Sequence, residues 1–418
     1  MADVETLEAV EDATAPWAQV ARSAASARCA DMGMPGRRDE YWRFTNPATL
    51  TSLAPHKAAL LETTEAPIFA DVDAVSLIFV DGTFRADLSD DLALQNAEIS
   101  LLEDALLSND HWVQDLYGVL EKNGQTPVPR SLAALNTANA TQGVVVRVTG
   151  TCPKPISLRY IHQSEVSDAL VHHVIRVDDG AELTVLESGP AAARLNHVLE
   201  VDVADGAKFH HIRTQGRDHE RRAATHLFAR LGKESAFKSF TMTVNGILTR
   251  NECVIELTGD NAKAHVAGAA VGDGDFLHDD TVFVTHDAVD CESRQVFKKV
   301  LRNGAVGVFQ GKILVKEGAQ KTDGYQISQG LLLDEDSQFL AKPELEIYAD
   351  DVACSHGSTV GSVDATALFY LTSRGIPKKA AQDMLVLAFL AEAMEEIDDD
   401  VIAEILTARL SEWMARRG

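Results

Sequence analysis

The motif Asp179-Gly180-Ala181-Glu182-Leu183 recurs as Asp205-Gly206-Ala207-Lys208-Phe209 in the middle of the chain. Its glycine returns more loosely at Gly232 and Gly259, so the interval between recurrences is about 26 residues, within the range typical of stacked repeats. A fixed interval of this kind indicates a solenoid, in which each unit buries its apolar face only against its neighbours.

Each interval contains two runs in which apolar and polar residues alternate, as in residues 199–204 and 240–245. Alternation with a period of two is typical of strands. Glycine at the recurrent position supplies a turn conformation that other residues resist. Two strands per turn predict a mainly β protein built on a flattened parallel β-helix. The alternative is a β-sandwich, whose strands would not keep a fixed register of turn glycines.

The two ends of the chain have helical patterns. Residues 17–32 are alanine-rich with apolar residues at helical spacing, and a glycine-proline break follows. Near the C-terminus, Asp364 is placed to cap a helix through Arg374, and Pro377 opens a second helix that reaches about Glu396. A third helix begins at residues 398–400. We therefore expect an N-terminal helical and mixed region over residues 1–135, a β-helix core over 136–360 and a C-terminal helical subdomain over 361–418.

Composition excludes several classes of function. The formal net charge of −25 argues against nucleic acid as a partner, because phosphate contacts need a face of lysine and arginine. No apolar run approaches the ~20 residues that span a bilayer. Residues 1–12 lack a signal-peptide pattern, so we expect a cytoplasmic protein without membrane association. The sequence around Gly307 to Ile313 lacks the spacing of a phosphate-binding loop, so we expect no ATP hydrolysis by this chain alone.

The five cysteines are widely spaced and no C-x-x-C is present, so no self-contained zinc or iron–sulfur site is indicated. One pair of residues nevertheless suggests metal chemistry. Cys354 and His356 follow an extended run, where a spacing of two puts both side chains on one face of a strand. Thiolate and imidazole suit soft or borderline metals. Because two ligands do not close a tetrahedral site, the others would come from elsewhere or from another chain.

A structural alternative exists for the same pair, with Cys354 as a small buried residue and His356 as a hydrogen-bonded residue in a turn. Two pairs of adjacent histidines, His172-His173 and His210-His211, project to opposite faces of strands, so neither is a natural chelate. We expect those side chains to face solvent.

Several segments occur in an order that is typical of one known family: residues 35–45, 134–136, 309–315, 319–326, 343–361 and 368–376. They resemble the SufB/SufD family, the scaffold proteins of the Suf system for iron–sulfur cluster assembly. The chain lacks an N-terminal cysteine cluster, which favours the SufD branch over the SufB branch. Ser328 and Ala353 depart from the family pattern, and this leaves the chemistry of the surface near Cys354 less defined.

The resemblance implies a right-handed β-helix and a non-catalytic scaffold subunit. Such a subunit pairs edge to edge with SufB through the strands around Phe309 to Val352, and its terminal helices dock the SufC ABC ATPase. His356, with Cys354 as the weaker candidate, would serve a transient iron–sulfur cluster at the interface as a ligand or proton carrier. We expect no cofactor to stay on this chain alone. The residues expected to contact partners are Phe369, Tyr370, Arg374, Met384 and Phe389.

The sequence leaves open the cluster type, the binding of reduced FAD by the complex, a homodimer of the isolated chain and the recipient apoproteins. Two other functions compete with the scaffold hypothesis. One is a structural adaptor without a metal role. The other is a β-helical enzyme that acts on polysaccharides, which would need acidic and basic residues clustered on a groove. The basic residues of the middle of the chain instead fall in an expected turn region: Arg213, Arg217, Arg221 and Arg222.

Overall fold

The computed structural model describes residues 14–61, 66–216 and 219–416, which form a β-solenoid with helices at both ends. Two ten-stranded sheets face each other, and from residue 144 onward successive strands alternate between them. Within each sheet the neighbouring strands of this part are parallel. The flattened β-helix with two strands per turn is therefore confirmed, and the sandwich is excluded.

The strands are numbered in chain order. Sheet A contains β1 (Val75–Val80), β2 (Thr83–Phe84), β6 (Ile156–Ile161), β8 (Glu182–Ser188), β10 (Lys208–Gly216), β12 (Ala236–Val244), β14 (Lys263–Asp273), β16 (Glu292–Arg302), β18 (Thr322–Leu332) and β20 (Val352–Gly361). Sheet B contains β3 (Ala93–Leu94), β4 (Ala97–Leu101), β5 (Val144–Val148), β7 (Asp168–Val177), β9 (Arg194–Val203), β11 (Arg222–Leu231), β13 (Leu248–Leu257), β15 (Leu277–His286), β17 (Val306–Val315) and β19 (Gln338–Ile347).

The described helices flank this stack: α1 (Pro16–Met32), α2 (Ala48–Thr51), α3 (Leu102–Leu107), α4 (Val119–Asn123), α5 (Ser131–Asn139), α6 (Ala365–Ser373), α7 (Lys378–Met394) and α8 (Asp400–Arg416). Short 3-10 turns cover Glu40–Trp42 and Trp112–Asp115. The Asp364 carboxylate accepts hydrogen bonds from the backbone N–H groups of the first turn of α6, as the sequence predicts. Among the described residues, no helix is both long and apolar enough to cross a membrane. The prediction for residues 1–12 lies outside the described residues.

The recurrent motif forms one corner of the solenoid. Gly180 and Gly206 have left-handed backbone conformations, with φ of 66° and 69°. In the following turns the left-handed residues are Glu234 and Asn261, with φ of 55° and 62°, so the loose matches at Gly232 and Gly259 lie two positions too early. Each left-handed residue donates its backbone N–H to a carbonyl of the next turn, as Gly206 does to Lys233 at 2.7 Å. The corner therefore depends on stacking as well as on glycine.

The repeat lengthens along the chain. Stacked residues are 28 positions apart at His211 and Ser239, and 31 positions apart at Gln295 and Gln326. The interval of about 26 residues read from the sequence therefore describes only the first turns of the stack.

Helices cover the outer faces of the sheets. On sheet A, Val386 and Leu390 of α7 and Leu406 of α8 pack against side chains such as Phe240 and Val300. On sheet B, the N-terminal elements pack against the outer face through a separate apolar cluster. Val386 and Leu390 of α7 are thus used for packing within the chain.

The expectation of solvent-facing histidines is wrong. His172, His173 and His211 are buried, and His210 is half-buried. Alternation does not bring one side of a strand to water here, because the inner face meets the opposite sheet and the outer face meets helices. Inside the stack, the Tyr160 hydroxyl and His173 Nε2 form a 2.8 Å hydrogen bond.

The cluster of arginines expected in a turn region is also distributed differently. Arg213 lies in β10 and its guanidinium is paired with the Glu187 carboxylate at 3.0 Å. Arg221 is buried next to β11, and Arg217 lies outside the described residues. Arg222 is the first residue of β11, and its guanidinium donates to the backbone carbonyl oxygens of Lys57 and Glu220. The three described arginines are thus held by contacts within the chain and do not form the basic cluster that a polysaccharide-acting enzyme would need.

We expect Phe309→Ala to lower the free energy of unfolding by about 3–5 kcal/mol, because removal of a buried ring loses its apolar contacts and leaves a cavity. Phe309 is 0% exposed and its ring centroid lies 4.9 Å from that of Phe297. The matched control is Phe369→Ala, since Phe369 is 72% exposed. Urea unfolding of the isolated chain measures both. Similar losses for the two variants would contradict the assigned core.

Candidate functional site

The C-terminal end of the solenoid is open in the described part of the chain. β20 pairs with β18 on one side, and β19 pairs with β17 on one side. Phe309 lies in β17, which is paired on both sides. The free edges are therefore β19 and β20 rather than all the strands from Phe309 to Val352. This end carries both residues that the sequence selects for metal chemistry.

Cys354 and His356 lie on the same face of β20, as their spacing predicts. Their register partners in β18 are Gly324 and Gln326. Gln326 is fully buried and lies so close to Gly311 of sheet B that a Cβ on that glycine would be 2.1 Å from its Nε2. The face shared by Gln326, Cys354 and His356 is therefore the inner face of the solenoid.

The two side chains differ in burial. Cys354 is half-buried and packs with Ile313, Val352 and Leu345 in a small apolar cluster under the last turn. Gly324 leaves room for the thiol, because a Cβ there would lie 3.2 Å from Cys354 Sγ. His356 is exposed, since no further turn within the described ranges covers the inner face beyond β20.

Gln295, Gln326 and His356 occupy successive register positions in β16, β18 and β20. Gln326 Nε2 donates to Gln295 Oε1 at 2.8 Å. Gln326 Oε1 is buried and has no hydrogen-bond partner among the described residues. His356 occupies the next register position in the same line. The inner face therefore offers an unused acceptor directly beneath the imidazole position.

Burial raises the pKa of the Cys354 thiol, and the negative charge of Asp323 adds to the effect. The thiol is consequently protonated at neutral pH and is a weak nucleophile and ligand in this state. Among the residues that the structure describes, no three His, Cys, Asp or Glu side chains come together to hold a metal ion. A metal or cluster at Cys354 and His356 would need ligands from outside the described chain.

The five residues expected to contact partners fall into two groups. Phe369 and Tyr370 of α6 are 72% and 52% exposed, and Met384 of α7 is 49% exposed. The Arg374 guanidinium lies 3.9 Å from the centre of the Tyr370 ring. Phe389 is half-buried and faces the solenoid, where Lys298 Nζ lies 4.7 Å from its ring centre. Helix α6 has no buried residue although it is rich in apolar side chains. Helix α7 differs, because several of its residues are buried against the solenoid.

The segment around Tyr41 braces the outer face of the free strand β19, a contact that sequence reasoning missed. The Tyr41 hydroxyl donates to Glu344 Oε2 at 2.6 Å, and Lys342 Nζ lies 3.8 Å from the centre of the Tyr41 ring. Lys342 also pairs with Glu40 at 2.6 Å. The partners are about 300 positions apart, so no local pattern could indicate this contact.

The chain is similar to known proteins of iron–sulfur cluster assembly. The family model described as "SUF system FeS cluster assembly, SufBD core domain" matches residues 160–389. The chain is 29% identical over 397 residues to the iron–sulfur cluster assembly protein SufD of Escherichia coli (strain K12), covering 91% of this chain and 89% of that protein. It is 26% identical to an iron–sulfur cluster assembly SufBD family protein of Synechocystis, over 90% of this chain and 86% of that protein. For SufD of Bacillus subtilis (strain 168), the identity is 27%, over 66% of this chain and 65% of that protein.

We expect alkylation of Cys354 by iodoacetamide to be slow at neutral pH, because its raised pKa lowers the thiolate fraction. The rate should keep rising with pH after the rate of an ordinary thiol has levelled off. A matched reference is Ala353→Cys in a Cys354→Ser background, since position 353 is exposed on the same strand. Mass spectrometry of the labelled peptide gives both rates. Equal rates with the same pH midpoint would contradict the burial assigned to Cys354.

Proposed function

The chain belongs to the SufBD family of iron–sulfur cluster assembly proteins, and from that premise we propose that it is a non-catalytic, cytoplasmic scaffold subunit. In this proposal its cluster site is completed only by a second, homologous subunit that resembles SufB. The observation that carries the proposal is the open end of the solenoid, where two free strands meet and where Cys354 and His356 share the inner face.

The two ends of the stack are terminated differently. At the N-terminal end the outermost strands, β2 and β3, are two residues long, and short edges of this kind resist further pairing. At the C-terminal end β19 and β20 are each ten residues long. Long free edges in parallel sheets are templates for another chain. The C-terminal end is therefore the better candidate for pairing with a partner.

The two free strands are also unequal. β19 carries Lys342, Pro343 and Glu344, and charges and proline are the usual means of blocking an edge. β20 has neither a charged residue nor a proline. We therefore assign the main pairing edge to β20 and a bracing role to β19, which the segment around Tyr41 holds from outside.

His356 is the better of the two candidates for cluster chemistry. Its side chain is exposed at the open end, whereas the Cys354 thiol is half-buried and held in its protonated form. Imidazole serves in proteins both as a metal ligand and as a proton carrier. A cysteine thiolate from the homologous subunit would supply the soft ligand that this chain does not present. In this proposal the transient cluster, and any reduced flavin, belong to the complex rather than to this chain alone.

Helix α6 is the proposed docking element for the SufC-like ABC ATPase. An apolar helix without a single buried residue is expected to be covered by another molecule, and α6 has this property. Phe369, Tyr370 and Met384 supply exposed apolar surface, and Arg374 supplies a charge beside Tyr370. Phe389 contributes less, because its ring is partly used against the solenoid.

The test of the cluster role is His356→Ala in the complex of this chain with its SufB-like and ATPase partners. We expect the complex to assemble normally and to form markedly less cluster, because one ligand or proton carrier is lost while the backbone edge is unchanged. Iron and sulfide content after anaerobic purification measures the yield. The control is Ser355→Ala, which alters the neighbouring position on the opposite face of β20.

Normal cluster yield with His356→Ala would contradict the cluster role and leave the adaptor hypothesis in its place. Loss of the complex itself would show that His356 acts in assembly, which also contradicts the assigned role.

Phe369→Asp should weaken binding of the ATPase subunit by at least about tenfold, because a charge would replace a large exposed apolar contact. Co-purification and a binding isotherm with the ATPase measure the effect. The control is Val401→Asp, which changes an exposed apolar residue of α8. Unchanged binding with Phe369→Asp, or an equal loss with Val401→Asp, would contradict docking on α6.

A further inference from the structure

A cavity of about 240 Å³ lies on the outer face of sheet A, away from the open end of the solenoid. Its floor is formed by the C-terminal parts of β6, β8, β10 and β12. Its walls come from Leu61, Pro67 and Ile68, from His219 and from Arg409 and Trp413 of helix α8. The polar residues that line it are Arg159, His162, Ser188, Thr214, Gln215, His219 and Arg409.

Three hydrogen-bond donors form one row on the floor. Arg159 of β6 is the register partner of Ser188 in β8, and Ser188 is the register partner of Thr214 in β10. Adjacent strands are about 4.8 Å apart, so the row spans roughly 10 Å. The side chains of Arg159, Ser188 and Thr214 form no hydrogen bond with any described residue. All three line the cavity, so their donors are available to a ligand bound there.

The charge of Arg159 is uncompensated. Its guanidinium is half-buried and makes no ion pair with a described residue, and burial lowers its pKa. No described residue that lines the cavity is a carboxylate. Arg409 adds a second guanidinium to the lining. A cationic lining is unexpected in a chain with a net charge of −25, because acidic side chains are available nearly everywhere else.

The two histidines of the wall do not supply this charge. The backbone N–H of Arg221 donates to His219 Nδ1 at 3.1 Å, and the two rings are joined through His219 Nε2 and His162 Nδ1 at 2.6 Å. His162 Nε2 in turn meets the Ser164 carbonyl oxygen at 2.7 Å. One proton on each Nε2 satisfies the whole line, and burial lowers the pKa of His219 to about 3. His219 is therefore neutral, and the positive charge of the lining comes from arginine.

Arg221 adds to the positive potential from behind the wall. It is buried and donates to the Pro190 carbonyl oxygen at 3.1 Å and to Gln215 Oε1 at 3.0 Å. Both acceptors are neutral, and Pro190 and Gln215 themselves line the cavity. The floor becomes apolar on the far side of Thr214, whose register partner in β12 is Met242, and Val244 and Ile68 also line the cavity.

We propose that this cavity binds a small organic oxyanion, whose carboxylate or phosphate group lies on Arg159, Ser188 and Thr214. The apolar body of the ligand would then contact Met242 and Val244. This site is separate from the proposed cluster site, and its ligand would bind whether or not a partner pairs with β20.

The experiment uses phenyl phosphate as the probe, titrated into the full chain and followed by calorimetry. We expect saturable binding at one site, and weaker binding of inorganic phosphate, which lacks the apolar body, and of benzyl alcohol, which lacks the anion. Arg159→Met should weaken binding of phenyl phosphate by at least about tenfold, because a charge-assisted hydrogen bond is lost. Thr214→Val should weaken it less, since it removes only a neutral donor of nearly the same shape.

The matched control is Lys208→Met, which removes one positive charge from an exposed position on the same sheet. Circular dichroism verifies that each variant is folded. If Arg159→Met does not fold, Ser188→Ala with Thr214→Val takes its place and should also weaken binding. The proposal is overturned if phenyl phosphate does not bind, if the cavity variants bind it as the wild type does, or if Lys208→Met weakens binding equally.

Discussion

The structure depends on the backbone hydrogen bonds between successive turns of the solenoid. Each strand from β7 to β18 obtains partners on both sides from the turns before and after it, and the corner residues repeat the same rule, as Gly206 and Glu234 do with the turns that follow. Each turn of such a stack leaves backbone groups unpaired on its outer side, so a further turn could always be added. Its two ends must therefore be terminated by other means, and the chain terminates only one of them with short antiparallel strands. The position of the candidate site at the other end follows from this asymmetry.

Stacking also explains why the interior tolerates charge. Burial alone would raise the pKa of Glu187, but Arg213 and the neighbouring histidines hold it well below its ordinary value. Glu187 accepts from Arg213 and lies 3.1 Å from His211 Nε2, and both partners lie in β10, the next strand of the same sheet. Such a buried pair is stable only when its partners are fixed in place. The parallel register fixes them, because each turn places its side chains directly above those of the turn before.

Sequence patterns revealed those features that are local. Alternation identified the strands, Asp364 and Pro377 marked the starts of α6 and α7, and the two-residue spacing of Cys354 and His356 placed both on one face. Three features depend on contacts between distant parts of the chain and could not be predicted from local patterns. The left-handed corner passes from glycine to Glu234 and Asn261 because stacking hydrogen bonds hold it. The histidines are buried because helices cover the outer faces, and the contact of Tyr41 with β19 joins distant parts of the chain.

In the proposed complex, strand pairing at the open end would also change the surroundings of His356. His356 lies on the inner face of β20, so a strand added to that edge would extend the interior over the imidazole as it satisfied the backbone groups of β20. Removal of water favours the neutral form of a histidine, and the neutral form is the one that binds metal. The unused acceptor at Gln326 Oε1 lies in the same line and is suited to accept a hydrogen bond from one ring N–H, which leaves the other nitrogen free to bind. A site built in this way would be weak on the isolated subunit and would become a ligand site when the edge is covered. Strand pairing and metal binding would then stabilise each other, because each is favoured by the geometry that the other requires.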